Sequence, residues 1–257
     1  MIRRLWIQRA LLLTLIRRQY QLRYRQSFVG FVWALLPALG TVGVGAVLFD
    51  RVIGVDTGRT PYGVFALAAL VPWTFFANSI SMGVPSVISA SSMVTRLAFP
   101  RAVLPLAAVG LSVIDFGVVG VAFVGVALLT GEGLPLTAFW APLLLLIELP
   151  LVCGVVLLGS ALNVFARDIK LGVPLLVQFW LILTPVMYPL NSVPAGIKSW
   201  YMANPMTGLV ESFRMVLVRG EPPTIELLLP AAIGAVVMTF IGLWYFSVIE
   251  PRFADAI

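Results

Sequence analysis

Read for apolar and polar positions alone, the sequence alternates six long apolar stretches with short polar connections. The stretches run near 29–48, 62–82, 102–129, 138–165, 171–188 and 227–249, each close to the roughly 20 residues a helix needs to cross about 30 Å of hydrocarbon. The third and fourth exceed a minimal span, which allows tilt or protrusion. The pattern predicts an all-α integral membrane protein with six transmembrane helices, forming a single domain over 1–257.

Outside the spans, residues 1–27 read as an amphipathic helix. Leu5, Trp6, Leu12, Leu13, Ile16, Tyr20 and Tyr24 gather on one face and Arg18, Gln21 and Arg25 on the other, with Arg9 and Arg23 intruding on the apolar side. Such a helix lies in the membrane interface, aromatics at headgroup depth and arginines toward phosphate. Arginines rather than a small-residue cleavage site follow its apolar run, so it is expected to be retained. Residues 90–101, within "SSMVTRLAFPRAVLPLA", form a short segment whose Met93, Val94, Leu97 and Phe99 would be wasted on a solvated loop; a helix docking into a partner's groove would use them.

The connection 189–226 is long and not simply polar. Ile197, Trp200 and Tyr201, then Met206, Leu209, Val210, Phe213, Val216 and Leu217, predict two short helices with apolar faces. Asn204 as N-cap, Pro205 at the first helical position and Gly220 beyond the end bound the second. Glu211 and Arg214, three apart, are placed to pair on it. Helices too short to span yet too apolar for water dip back into the bilayer, as re-entrant segments that would cover the outer mouth of a conduit.

Composition narrows the class. With 60% hydrophobic residues, 11% charged and a mean hydropathy of +1.03, the chain is too apolar for a soluble domain, in which roughly a quarter of residues are charged. Six crossings leave both termini on one side. Placing them in the cytoplasm puts twelve Lys and Arg inside and five outside, the asymmetry of the positive-inside bias. Cys153 is the single cysteine and there is no histidine, which excludes an intrachain disulfide, His-based acid–base catalysis and the usual zinc sites. No Gly-Lys-Ser/Thr run occurs, so the chain is not itself a P-loop ATPase. No repeat relates its halves, and six spans are half those of a twelve-helix carrier, so a path between two copies in a homodimer is the working expectation.

Candidate chemistry follows. Arg17, Arg18, Arg23 and Arg25, interleaved with Tyr20 and Tyr24, either hold the N-terminus inside on anionic lipid or receive the phosphates of a lipid-linked substrate through planar guanidinium forks. Asp115 and Glu148 are the ionisable residues at membrane depth, either functional or paired with a neighbouring helix; Asn78 and Gln178 are interhelical candidates. Trp73, Phe76, Phe116, Trp180 and Tyr188 belong to an interfacial aromatic belt or, with Asp115 and Glu148, line a conduit where rings stack on sugars.

Taken together, "FVGFVWALLPAL", "RLAFPRAVLPLA" and the ordered series Asn163, Arg167-Asp168-Ile169, Gln178, "TPVMYPLNSVP", "ANPM" and "FRMVLVRG" resemble the permease subunit of a type-two ABC exporter, in the polysaccharide, O-antigen, teichoic acid and galactan export family. Related sequences often have Asn and Lys where this one has Ser92 and Arg96. The resemblance implies a homodimer in the bacterial inner membrane, working with two copies of a separate ATPase that binds ATP and Mg, and no cofactor in this chain. It implies coupling to that ATPase through Ser92, Arg96, Phe99, Pro100, Arg101, Arg167 and Asp168. It implies entrance of a polyprenyl-diphosphate-linked glycan at Arg17 to Arg25, and an external gate carrying Trp200, Tyr201, Asn204, Pro205, Glu211, Phe213 and Arg214. Membrane lipids are partners; nucleic acid is not. Fifteen arginines against two lysines hint at a high-GC genome, which tilts the cargo toward a galactan or an O-antigen. The competing readings are an exporter of drugs or small lipids, an intramembrane enzyme built on Asp115 and Glu148, and a passive channel.

Overall fold

The computed structural model describes residues 8–24, 32–52, 60–97 and 99–253, and the regular structure among them is all helix. In chain order these are α1 (Arg9–Tyr24), α2 (Val32–Gly45, continued by the π-helical turn Ala46–Val52), α3 (Tyr62–Gly83), the short α4 (Ser86–Ser89) and α5 (Ser91–Arg96), and α6 (Val103–Leu129). A 3-10 turn, Leu136–Trp140, leads into α7 (Ala141–Phe165); then come α8 (Ile169–Leu183), α9 (Ala195–Ala203), α10 (Pro205–Arg214, extended by the π turn Met215–Arg219) and α11 (Ile225–Ile249). Leu5, Trp6 and Arg25, the side chain of Tyr24 and the start of the first predicted span lie outside the described residues.

Four helical runs are long and apolar enough to cross a membrane: Tyr62–Gly83, Val103–Leu129, Leu136–Phe165 and Ile225–Arg252. Leu35–Phe49 and Ile169–Leu183 are apolar but shorter. The fifth predicted stretch, drawn to 188, is therefore corrected. Its helix stops at Leu183 because Thr184 turns extended, φ −106 and ψ 132, as the residue ahead of a proline prefers.

α3 forms the centre of the fold, with 16 of its 22 residues buried, and it packs against α6, α7 and α10. Lipid tails supply no hydrophobic drive between helices, so close approach of backbones does much of the work. Ala66, Ala68 and Ala69 are fully buried on α3. Between α7 and α11, a Cβ built on Gly242 would lie 2.2 Å from the carbonyl oxygen of Gly154, so that crossing is closed to any larger residue. Thr239 Oγ1 adds a bond across the same pair, donating to Pro150 O at 2.8 Å.

A separate cluster closes one end of the bundle. Leu15 of α1, Val94 of α5, Ala102, and Phe246 and Phe253 of the C-terminal segment share it, so both ends of the described chain sit together. The opposite end holds Tyr62, the 130–136 turn and Gly220, joined where Thr137 Oγ1 donates to Val216 O at 2.8 Å.

Candidate functional site

α1 packs lengthwise along α6. Ile16 lies directly on Gly110, where a built Cβ would come within 2.5 Å of its Cδ1, and Tyr20 packs near Leu111. Further along, Arg23 Nη1 donates to Asp115 Oδ2 at 2.7 Å and contacts Met82 Sδ at 3.3 Å. Asn78 Nδ2 donates to the same carboxylate oxygen at 3.1 Å. The intrusion of Arg23 on the apolar face thus has a physical reason: it meets a carboxylate that is 0% exposed inside a span, where an unpaired charge is expensive. Leu13, assigned from the sequence to the apolar face, instead points outward, 64% exposed. Arg17 and Arg18 also stay exposed.

The two segments expected to meet a partner are brought together by a residue that was not singled out for this role. Asn163, fully buried, donates through Nδ2 to Val84 O at 3.3 Å and accepts from the Lys170 backbone at 3.1 Å. It thereby ties the α7–α8 turn to the end of α3, just ahead of α4 and α5. The available signal was an amide in an otherwise apolar run. Of the four apolar residues assigned to docking, Val94 is buried and Met93 and Phe99 pack against the same terminal cluster; only Leu97, 57% exposed, faces out. Arg101 is held by the C-terminal segment, its backbone N donating to Glu250 Oε1 at 2.7 Å and its Nη1 to Glu250 O. Ser92, Arg96, Arg167 and Asp168 remain exposed, and Pro100 is half-buried.

At the other end the second short helix, α10, is buried along its whole length except its first residue, Pro205. Asn204 caps it, its Oδ1 accepting from Met206 N at 3.1 Å and from Trp180 Nε1 at 3.2 Å, while Nδ2 donates to Thr184 Oγ1 at 2.9 Å. The cap therefore also fastens α10 to the end of α8. Gly220 closes the far end at φ 70, the left-handed conformation glycine adopts without penalty.

Arg214 is 1% exposed. Its guanidinium lies 3.8 Å over the Phe65 ring. Nη1 donates to Pro185 O at 2.5 Å and Tyr188 O at 3.2 Å, Nη2 to Val186 O, and Nε to Phe65 O at 3.5 Å. Tyr62 Oη takes Met187 O at 2.9 Å, so four successive carbonyls after α8 are each held by a side-chain donor. The expected pair forms, Glu211 Oε2 to Arg214 Nη1 at 3.3 Å, and Glu211 Oε1 also accepts from Arg219 at 2.6 Å. Burial pushes the Arg214 pKa down to about 10 against the upward pull of Glu211, so it stays charged at neutral pH. α9, by contrast, buries no residue. Its Trp200 is 80% exposed, and Tyr201 Oη accepts from Tyr188 Oη at 3.1 Å.

The conduit candidates divide. Trp73, Phe76, Asp115 and Glu148 are corrected to interior positions, since all are buried within this chain. Phe76 meets Trp180 edge-on at 5.0 Å, and Phe116 sits between Phe75 at 6.2 Å and Phe213 at 6.0 Å. Trp180 and Tyr188 are half-buried. Neither carboxylate oxygen of Glu148 has a hydrogen-bond partner among the described residues, whereas Asp115 is engaged by Arg23 and Asn78. The two carboxyls are therefore held differently, one in a polar cluster and the other in apolar surroundings.

Comparison with known proteins agrees in class. Residues 10–218 match the family described as ABC-2 type transporter. The chain is 28% identical over 259 residues to the O-antigen export system permease protein RfbA of Myxococcus xanthus, covering 100% of this chain and 99% of that one. It is 26% identical to the protein of the same name from Klebsiella pneumoniae, covering 95% and 94%.

Proposed function

This chain belongs to the ABC-2 type transporter family, as a multi-pass membrane transport subunit without a catalytic domain, and from that premise we propose what it carries and how. It is the membrane subunit of an ATP-driven exporter. It moves a polyprenyl-diphosphate-linked polysaccharide, of O-antigen or cell-wall galactan type, from the cytoplasm to the outer face of the inner membrane. Both termini lie in the cytoplasm in this reading, which the excess of Lys and Arg on that side supports. Two copies enclose the path, and a separate ATPase in two copies engages the exposed Ser92, Arg96, Arg167 and Asp168. The names of the full-length relatives support the glycan class.

The observation that carries the substrate reading is the mounting of α1. Arg23 is fixed on Asp115 at 2.7 Å and Tyr20 is packed, so these two position the helix, while Arg17 and Arg18 remain exposed beside it. Their forked donors suit a diphosphate, whose charge cannot cross bare hydrocarbon without a cost of tens of kcal/mol. The exposed faces of α8 supply the wall between copies. α9 and α10 cover the outer mouth, with Trp200 and Tyr201 on the exposed helix and Asn204, Pro205, Glu211, Phe213 and Arg214 anchoring the buried one.

The test replaces Arg17 and Arg18 together with Gln. Expected are loss of surface polymer and accumulation of lipid-linked glycan inside, with the membrane level of the protein unchanged. Normal surface polymer removes the headgroup role. If depletion of the whole chain leaves the glycan untouched, the cargo is a drug or small lipid instead.

A further inference from the structure

At the end of the bundle away from the termini, a cleft of about 520 Å³ opens between α3, α6, the start of α7 and α10, with Val71, Phe116, Gly120, Phe123, Phe139 and Phe213 on its walls. Every residue lining it is apolar. It shares Leu134, Pro135 and Leu217 with a second pocket of about 260 Å³, which holds Glu132, Arg219 and Gly220. The two form one amphipathic space, apolar below and charged at its rim. Gly131 and Gly133, at φ 80 and 71, flank Glu132 at the tip of the turn. Glu132 makes no ion pair among the described residues, although Arg219 lines the same pocket and is bonded instead to Glu211. A carboxylate and a guanidinium that face one space without bridging leave room for a group carrying both charges.

We propose that this space is a binding site for a zwitterionic aminophospholipid, independent of the exported cargo. The phosphate sits on Arg219, the primary ammonium donates to Glu132, and an acyl chain fills the cleft, whose volume is within the range of small-ligand sites. An anionic lipid would meet Arg219 equally well but bring no ammonium to Glu132, and a choline headgroup cannot donate a hydrogen bond to that carboxylate. Phe213 and Leu217 form one wall, so the bound lipid braces α10 against α6.

Gly120 provides the test, because a Cβ added there meets no atom within 4 Å and leucine is a better helix former than glycine. The full-length protein would be exchanged into an equimolar mixture of phosphatidylethanolamine, phosphatidylglycerol and phosphatidylcholine and examined by native mass spectrometry. Expected is retained phosphatidylethanolamine on the unaltered protein, its loss in Gly120→Leu with the oligomeric state unchanged, and loss of headgroup preference with the lipid still bound in Glu132→Gln. The proposal is overturned by equal retention of all three lipids on the unaltered protein, by undiminished lipid in Gly120→Leu, by a preference that survives Glu132→Gln, or by a change of oligomeric state in Gly120→Leu, which would assign the cleft to a second copy.

Discussion

α3 and α8 are both apolar helices interrupted by proline, Pro72 in one and Pro174 in the other, yet the fold treats them in opposite ways. α3 buries 16 of its 22 residues, α8 only Val173 of its 15. Apolarity does not separate them, because lipid and protein interior are equally good solvents for leucine. Shape and polarity do. α3 presents Ala66, Ala68 and Ala69 for close approach and Phe75 and Phe76 as interlocking rings. α8 turns Leu175, Leu176, Phe179 and Ile182 outward and keeps an exposed Gln178 among them. In the proposed dimer this outward apolar face, with its single amide, is where the second copy would sit.

Arg214 lies where the two helices meet, over Phe65 of α3 and against the carbonyls that follow α8. Arg214→Ala should therefore have the largest effect. It strands the carbonyls of Pro185, Val186 and Tyr188, which lie outside any helix, at about 1–3 kcal/mol each, for a total loss of roughly 3–9 kcal/mol. Thermal unfolding of the detergent-solubilised protein, or its failure to accumulate, would show it. Arg214→Lys should not rescue, since one ammonium cannot replace a planar five-donor fork. A stable Arg214→Ala protein would mean that this junction does not hold the fold.

Next comes a paired substitution on the two helices themselves. Phe75→Ala, at 0% exposure in α3, should cost about 3–5 kcal/mol as a buried aromatic truncation, while Phe179→Ala, 63% exposed on α8, should change protomer stability by less than about 0.5 kcal/mol. Equal losses would erase the distinction between the helices.

That distinction was only half legible in the sequence. Helix positions followed from hydropathy, and the cap chemistry of α10 could be read directly from Asn204, Pro205 and Gly220, because these signals are local. The Glu211–Arg214 pair was readable for the same reason. What could not be read was partnership over distance. That Asp115 meets Arg23, 92 positions away, that Asn163 clasps Val84, and that Trp73 and Phe76 face inward all depend on which helix faces go together, and an all-apolar helix does not encode its facing in period alone. Met93, Val94 and Phe99 are a similar case: their apolar side chains join a cluster of this chain's own residues drawn from α1, α6, α7 and the C-terminal segment.

The smallest effect on the protomer, and the sharpest on the comparison, belongs to Gln178→Leu. Gln178 is exposed, so its replacement should leave the unfolding temperature of the protomer where it was. In the proposed dimer it is different, because an amide facing lipid would be left without a partner and two copies meeting through α8 can satisfy one another. Interhelical polar contacts in membranes average about 0.6 kcal/mol, roughly a threefold shift in a dimerisation constant. Single-molecule photobleaching in vesicles across a range of protein-to-lipid ratios resolves a shift of that size. An unchanged dimer with reduced export would turn Gln178 toward the conduit rather than the contact. An unchanged dimer with unchanged export would make α8 a lipid-facing helix like any other, and the pairing of copies would have to be sought on the outward Leu36, Leu39 and Val44 of α2.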